Sequence, residues 1–180
     1  MKILVLQLKR IGDLILTTPA LAALRSAWPD AHITLAVSEG CAALLPAILH
    51  VDGSIVLGSG RGFAPWQQAL TGGFDVCLDF TGNDRSALLT ALSRAAQRVT
   101  FEWVKKSRAR ALAYSRFVDS PVREHHTADH YLHLLRGLDL DVTEAAYQLR
   151  LPAAALDAAA RACPTVPFAA IHPGSARAEK

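Results

Sequence analysis

The stretch that most limits the fold of this chain is its start. Lys2-Ile3-Leu4-Val5-Leu6-Gln7 is an apolar run of strand length, and Leu8-Lys9-Arg10-Ile11-Gly12-Asp13 after it is a polar turn. A helical pattern follows, with Leu14, Leu21, Leu24 and Trp28 near one face. A strand without alternation suits a parallel sheet buried on both sides. The turn then lies at the strand's carboxyl edge, where open α/β sheets bind ligands. Two helix starts are compatible with the sequence. Thr18-Pro19 can be an N-cap followed by proline at the first helical position, or the helix can begin near Gly12 and kink at Pro19. Either way Asp13 falls close to a helix start, where a carboxylate caps the backbone or meets the helix dipole.

Downstream, strand and helix patterns alternate. Strands are expected at residues 31–37, 54–57, 74–80, 98–101 and 167–172, with helices at 40–49, 66–70, 83–96, 128–138 and 153–162. Residues 58–62 read as a flexible loop, and 105–118 fit neither pattern. Alternation of this kind predicts an α/β fold, a Rossmann-like parallel sheet with helices on both faces. The Ala-rich helix bracketed by Pro152 and Pro164 reads as a connector. It puts a domain boundary between about Leu151 and Val166, drawn as residues 1–155 and 156–180.

Composition narrows the classes. With 51% hydrophobic and 19% charged residues the chain is globular, and no apolar run reaches a membrane span. The start shows no cleavable signal pattern. Cys41, Cys77 and Cys163 are odd in number, in apolar settings and without metal spacing. They are expected to be buried thiols in a reducing cytoplasm. A net charge of +3 is too mild to argue for nucleic acid. Arg94, Arg98, Lys105, Lys106, Arg108, Arg110 and Arg116 are concentrated in one region. They read as a solvated face, with attraction to an anionic acceptor or membrane surface as the functional alternative.

Several motifs can be weighed singly. Asp79-Phe80-Thr81-Gly82-Asn83-Asp84-Arg85-Ser86 repeats the opening theme: a capped helix start after a glycine turn, or a substrate-facing loop. His126, His130 and His133 have helical spacing, with His125 beside them, but no firm ligand partner follows, so no metal is expected. There is no G-x-G-x-x-G after the first strand, no Walker A motif and no G-x-S-x-G elbow. The closing stretch His172-Pro173-Gly174-Ser175-Ala176-Arg177-Ala178-Glu179-Lys180 is a Gly/Ser loop with nearby cations, which suits phosphate.

Ile11-Gly12-Asp13-Leu14-Ile15-Leu16-Thr17-Thr18-Pro19-Ala20-Leu21 resembles the N-terminal signature of the lipopolysaccharide heptosyltransferase family (glycosyltransferase family 9, inverting, GT-B). Arg85-Ser86-Ala87-Leu88-Leu89, the segment from His125 to Leu135, and His172-Pro173-Gly174-Ser175 extend the resemblance. It implies the N-terminal, acceptor-binding half of a GT-B enzyme, with residues 156–180 opening the nucleotide-sugar half. The implied reaction moves a heptose-like sugar from an ADP-sugar donor to a lipopolysaccharide core or lipid A acceptor. Asp13 would be the general base. Ser175 and Lys180 would meet the donor diphosphate. Lys9, Arg10, Gly12, Arg61 and Arg85 are the candidates for the acceptor. No metal or cofactor is implied, and the expected location is the cytoplasm, with contact at the inner membrane. The rival readings are another nucleotide-binding α/β enzyme, and a non-catalytic domain that recognises an anionic glycolipid.

Overall fold

The computed structural model describes residues 1–58, 60, 62–120, 126–140, 142, 146–163 and 166–169. The chain divides into two units, Met1–Arg150 and Leu151–Lys180. The first is built on six strands: β1 (Lys2–Gln7), β2 (His32–Ser38), β3 (Gly53–Leu57), β4 (Val76–Asp79), β5 (Gln97–Phe101) and β6 (Arg116–Val118). They form one sheet in the order β3-β2-β1-β4-β5-β6, every pair parallel.

Side chains of β1 alternate between two cores. Ile3 and Val5 face the core made with α1 (Ile11–Ala27) and α5 (Thr127–Leu134), which holds Leu21, Leu24, Tyr131 and Leu134. Leu4 and Leu6 face the opposite core, with Ala69 of α2 (Ala64–Thr71) and Leu89 of α3 (Asp84–Ser93). All four β1 side chains are fully buried. Each such leucine or isoleucine contributes about 1.5–3 kcal/mol relative to exposure, so a polar substitution on either face would cost stability on that scale or more. α4 (Arg108–Ala111) lies beside α3 over a smaller cluster containing Ala87, Val104 and Tyr114.

Helix α1 starts at Ile11, so the reading with Thr18 as N-cap is corrected. Pro19 lies inside the helix and cannot donate to the Ile15 carbonyl. The Thr18 hydroxyl donates to that carbonyl at 2.8 Å instead, which repairs the gap. Gly12 is therefore in the first helical turn rather than in a loop. The helix expected at 40–49 is instead a 3₁₀ helix over Glu39–Ala47, which carries Pro46. Helix α3 ends at Ser93, because Arg94 turns left-handed (φ 52°). The expected helix at 128–138 is α5 followed by a 3₁₀ turn, Leu135–Leu138. The unassigned stretch 105–118 contains α4 and the edge strand β6.

In the second unit, α6 (Ala153–Ala162) forms where the Ala-rich run predicts it. Cys163 is exposed, unlike the buried Cys41 and Cys77, which corrects the expectation for that thiol. Of the strand expected at 167–172, residues 167–169 are not in a strand, and the rest lies outside the described residues.

Candidate functional site

The sheet order places a topological switch between β1 and β4. The chain leaves β1 toward β2 on one side and returns through β4 on the other. The crevice outside the carboxyl ends of such a pair is the usual ligand position. Two loops meet there, and a hydrogen bond ties them: the Leu8 N–H donates to Thr81 Oγ1 at 2.8 Å.

On the β1 side, Asp13 is the third residue of α1 and half-buried. Its Oδ2 accepts the Arg10 N–H at 3.4 Å, a long bond that forms one half of a capping box. The arginine side chain has no acceptor to complete the other half. Its Oδ1 accepts the Tyr131 hydroxyl at 2.7 Å. The Asp13 carbonyl accepts the Thr17 hydroxyl at 2.8 Å, and Thr17 Oγ1 in turn accepts from buried Gln7 at 2.7 Å. The Gly-Asp turn is thus locked to the end of β1 from below.

Lys9 stands next to this carboxylate. Its Nζ lies 5.5 Å from the centre of the Tyr131 ring. Burial holds its ammonium below the ordinary lysine range, opposed by the negative charges of Asp13 and Asp79. The Lys9 carbonyl accepts the Ser38 hydroxyl at 3.1 Å, which secures the loop to the end of β2. Lys9, Arg10, Gly12, Ser38 and Cys41 line a shallow cavity of about 420 Å³. A side chain at Gly12 would meet nothing within 4 Å, so the glycine leaves the cavity mouth open rather than relieving a clash.

The β4 side is built differently. Asp79 is fully buried. Its Oδ1 accepts the N–H groups of Thr81 (2.7 Å) and Gly82 (3.1 Å), and its Oδ2 accepts the Tyr114 hydroxyl at 2.5 Å. Burial pushes its carboxyl above the usual range, against the pull of those hydrogen bonds. Gly82 has φ +68°, and a side chain there would strike Trp103 and Val104. Asn83 and Ser86 cap α3 reciprocally: Asn83 Oδ1 accepts the Ser86 N–H at 2.9 Å, and Ser86 Oγ accepts the Asn83 N–H at 3.0 Å. Arg85 follows in the first turn of α3, exposed and without an ion pair among the described residues.

The site therefore gathers Lys9 and Arg10 of the β1–α1 loop with Gly12 and Asp13 of the first turn of α1, and Arg85 lies in the first turn of the helix after the neighbouring loop. Arg61, Ser175 and Lys180 lie outside the described residues. Arg98, Arg110 and Arg116 of the basic region are held by partners within the fold. Arg98 donates to the carbonyls of Ala113 and Ala95. Arg110 pairs with Asp84, and Arg116 pairs with Asp139. His126 Nδ1 caps α5 by accepting the Ala128 N–H, and His130 stacks on Phe101 with ring centres 3.8 Å apart. Among the described residues, no three of His, Cys, Asp and Glu come together as a metal-binding group. No described helix is long and apolar enough to cross a membrane. Sequence reasoning passed over Tyr131, whose neighbouring histidines drew the attention. The available signal was a phenol on a core-facing helix, because a buried tyrosine hydroxyl needs a partner.

A six-stranded parallel sheet of this order, with helices packed on both faces, is a Rossmann-like α/β domain. The model of glycosyltransferase family 9 (heptosyltransferase) matches residues 64–180, so the chain belongs to that family. No curated protein matches at a significant level. Among solved structures, the family 9 glycosyl transferase of Veillonella parvula is 23% identical with a TM-score of 0.65, over 80% of this chain and 42% of its own. E. coli heptosyltransferase WaaC with ADP is 22% identical (TM-score 0.66; 82% and 50%). E. coli ADP-heptose lps heptosyltransferase II is 18% identical (TM-score 0.69; 90% and 50%). At these identities the likeness is one of fold. The chain spans half or less of the length of these structures.

Proposed function

We propose that this chain is the acceptor-side domain of an inverting glycosyltransferase, which moves a heptose-like sugar from an ADP-sugar to a hydroxyl of a lipopolysaccharide core or lipid A acceptor. One observation carries the reading. Asp13 stands at the switch-point crevice with one oxygen held by Tyr131 and a half-buried lysine beside it. A carboxylate there can take the acceptor proton as the oxygen attacks the anomeric carbon in a single displacement. Family membership and the ADP in the WaaC structure support the donor class. Charge builds on the departing diphosphate and would be met by N–H groups and cations, for which Ser175 and Lys180 are the candidates in the sequence.

The direct test supplies ADP-heptose and a heptose-free core acceptor to the longest natural form of the protein, in excess chelator. The expected result is heptosylated acceptor of inverted anomeric configuration. Failure of transfer with every core acceptor would remove the proposal. Activity lost to chelator and restored by one divalent ion would instead overturn the metal-free mechanism.

Arg85 is assigned to an anionic group of the acceptor. Arg85→Ala should raise the acceptor KM with little change in donor KM. Its exposure limits the stability change to about 0.5 kcal/mol. Unchanged acceptor kinetics would return Arg85 to the solvated surface.

A further inference from the structure

We infer that Tyr131 is the positioning residue of this site: its hydroxyl, donating to Asp13 Oδ1 at 2.7 Å, holds the carboxylate in the orientation a proton acceptor needs. The inference rests on the reading of Asp13 as the base. Without Tyr131, the only other hydrogen bond to the carboxylate among the described residues is the 3.4 Å contact from the Arg10 N–H. The phenol itself has little freedom. It is 1% exposed, and its ring meets Phe80 edge-on at 5.4 Å. A tyrosine has few torsions to immobilise, so its oxygen is a well-placed anchor. Burial, and then the bond to Asp13, push the phenol above its ordinary range, so it stays protonated and donates throughout neutral pH.

The same sheet edge contains an internal comparison. Asp79 and Tyr114 form an equivalent carboxylate–phenol pair, but that carboxylate is sealed from solvent. Asp13 is half-buried, and its neighbours Lys9, Arg10 and Gly12 line the cavity. One pair is structural, and the other presents a carboxylate to an incoming hydroxyl. The charged and titratable groups around Asp13 are Lys9 and Arg10 from its own loop, Tyr131 and neighbouring His130 from α5, and Asp79 from β4 through its effect on Lys9. Tyr131→Phe removes the donor while keeping the ring that Lys9 and Phe80 contact.

The test has two arms. The Tyr131 hydroxyl proton, shielded from solvent exchange by its bond to Asp13, is read by NMR in this chain without requiring turnover. Asp13→Ala should remove that protected signal while the fold persists. Replacement of Tyr131 by 3-fluorotyrosine, a stronger donor with the same packing, should keep the bond and the turnover that Tyr131→Phe loses. In the longest natural form, Tyr131→Phe should reduce kcat by about 10- to 100-fold, the cost of a loosened reacting group. Its donor KM should hold within about two-fold. Tyr114→Phe should lose stability without lowering kcat at a permissive temperature. A Tyr131 hydroxyl proton that exchanges freely, or wild-type turnover in Tyr131→Phe, would overturn the inference while inactivity of Asp13→Asn still upheld the base. An active Asp13→Asn would overturn both.

Discussion

Asp13→Asn should lower sugar-transfer turnover by about 10²–10⁴-fold at saturating donor, with the fold intact. The amide has the size of the carboxylate and retains one oxygen to accept the Tyr131 hydroxyl, but it cannot take a proton near neutral pH. Stability should fall by about 1 kcal/mol, the difference between a charge-assisted and a neutral hydrogen bond. Asp13→Ala should be equally inactive and less stable by about 1–3 kcal/mol, because the buried Tyr131 hydroxyl then has no acceptor. A purely structural Asp13 predicts a different pattern: Asn near wild type in turnover, and Ala destabilised but active at low temperature. Turnover and denaturation midpoint, measured on both variants in the longest natural form, separate the two. A folded, active Asp13→Asn protein would end the assignment of Asp13 as base.

What the sequence discloses depends on how local the deciding interaction is. Strand β1 was legible because Ile3 to Leu6 are apolar without alternation, and only a sheet covered on both faces buries both sides of such a strand. The place of Asp13 at the carboxyl edge of the sheet was legible for a similar reason, since the segment after a parallel strand lies there whatever the rest of the chain does; its reading as a base came from the family resemblance. The start of α1 was not. Pro19 is a standard start signal, and only the Thr18 side chain reaching back to Ile15 makes a proline tolerable in the helix interior. Strand β6 was missed because it has three residues, begins with an exposed arginine and lies at the sheet edge, so it has almost no apolar signature. The basic residues between 94 and 116 looked like a patch, yet Arg98, Arg110 and Arg116 are held by carbonyls and carboxylates brought close by tertiary structure. The Tyr131–Asp13 bond spans 118 residues, and no periodicity reports a contact of that separation.

The second large effect expected is on stability, at Asp79. Three donors converge on this one side chain: the N–H groups of Thr81 and Gly82, and the Tyr114 hydroxyl. Asp79→Ala strands all three in the interior. Each unpaired donor costs about 1–3 kcal/mol, so the loss should reach roughly 3 kcal/mol or more. The loop it supports also carries Thr81, which accepts the Leu8 N–H, so α3 and the β1 loop should loosen together. Asp79→Asn should behave oppositely. Its oxygen accepts the two N–H groups, and its amide can donate to the Tyr114 oxygen. Burial raises the Asp79 carboxyl above its unfolded value of 3.8, so the folded state binds the proton more tightly than the unfolded chain. The contribution of this group to stability is therefore greatest below that value and declines as pH rises toward the folded pKa. Asn cannot ionise and removes that decline. The Asn variant should match or exceed wild type in denaturation midpoint at neutral pH, with its advantage disappearing below about pH 4. An Asn variant as unstable as Ala at neutral pH would show that the ionised carboxylate, rather than its acceptor oxygens, holds the two loops at the switch point.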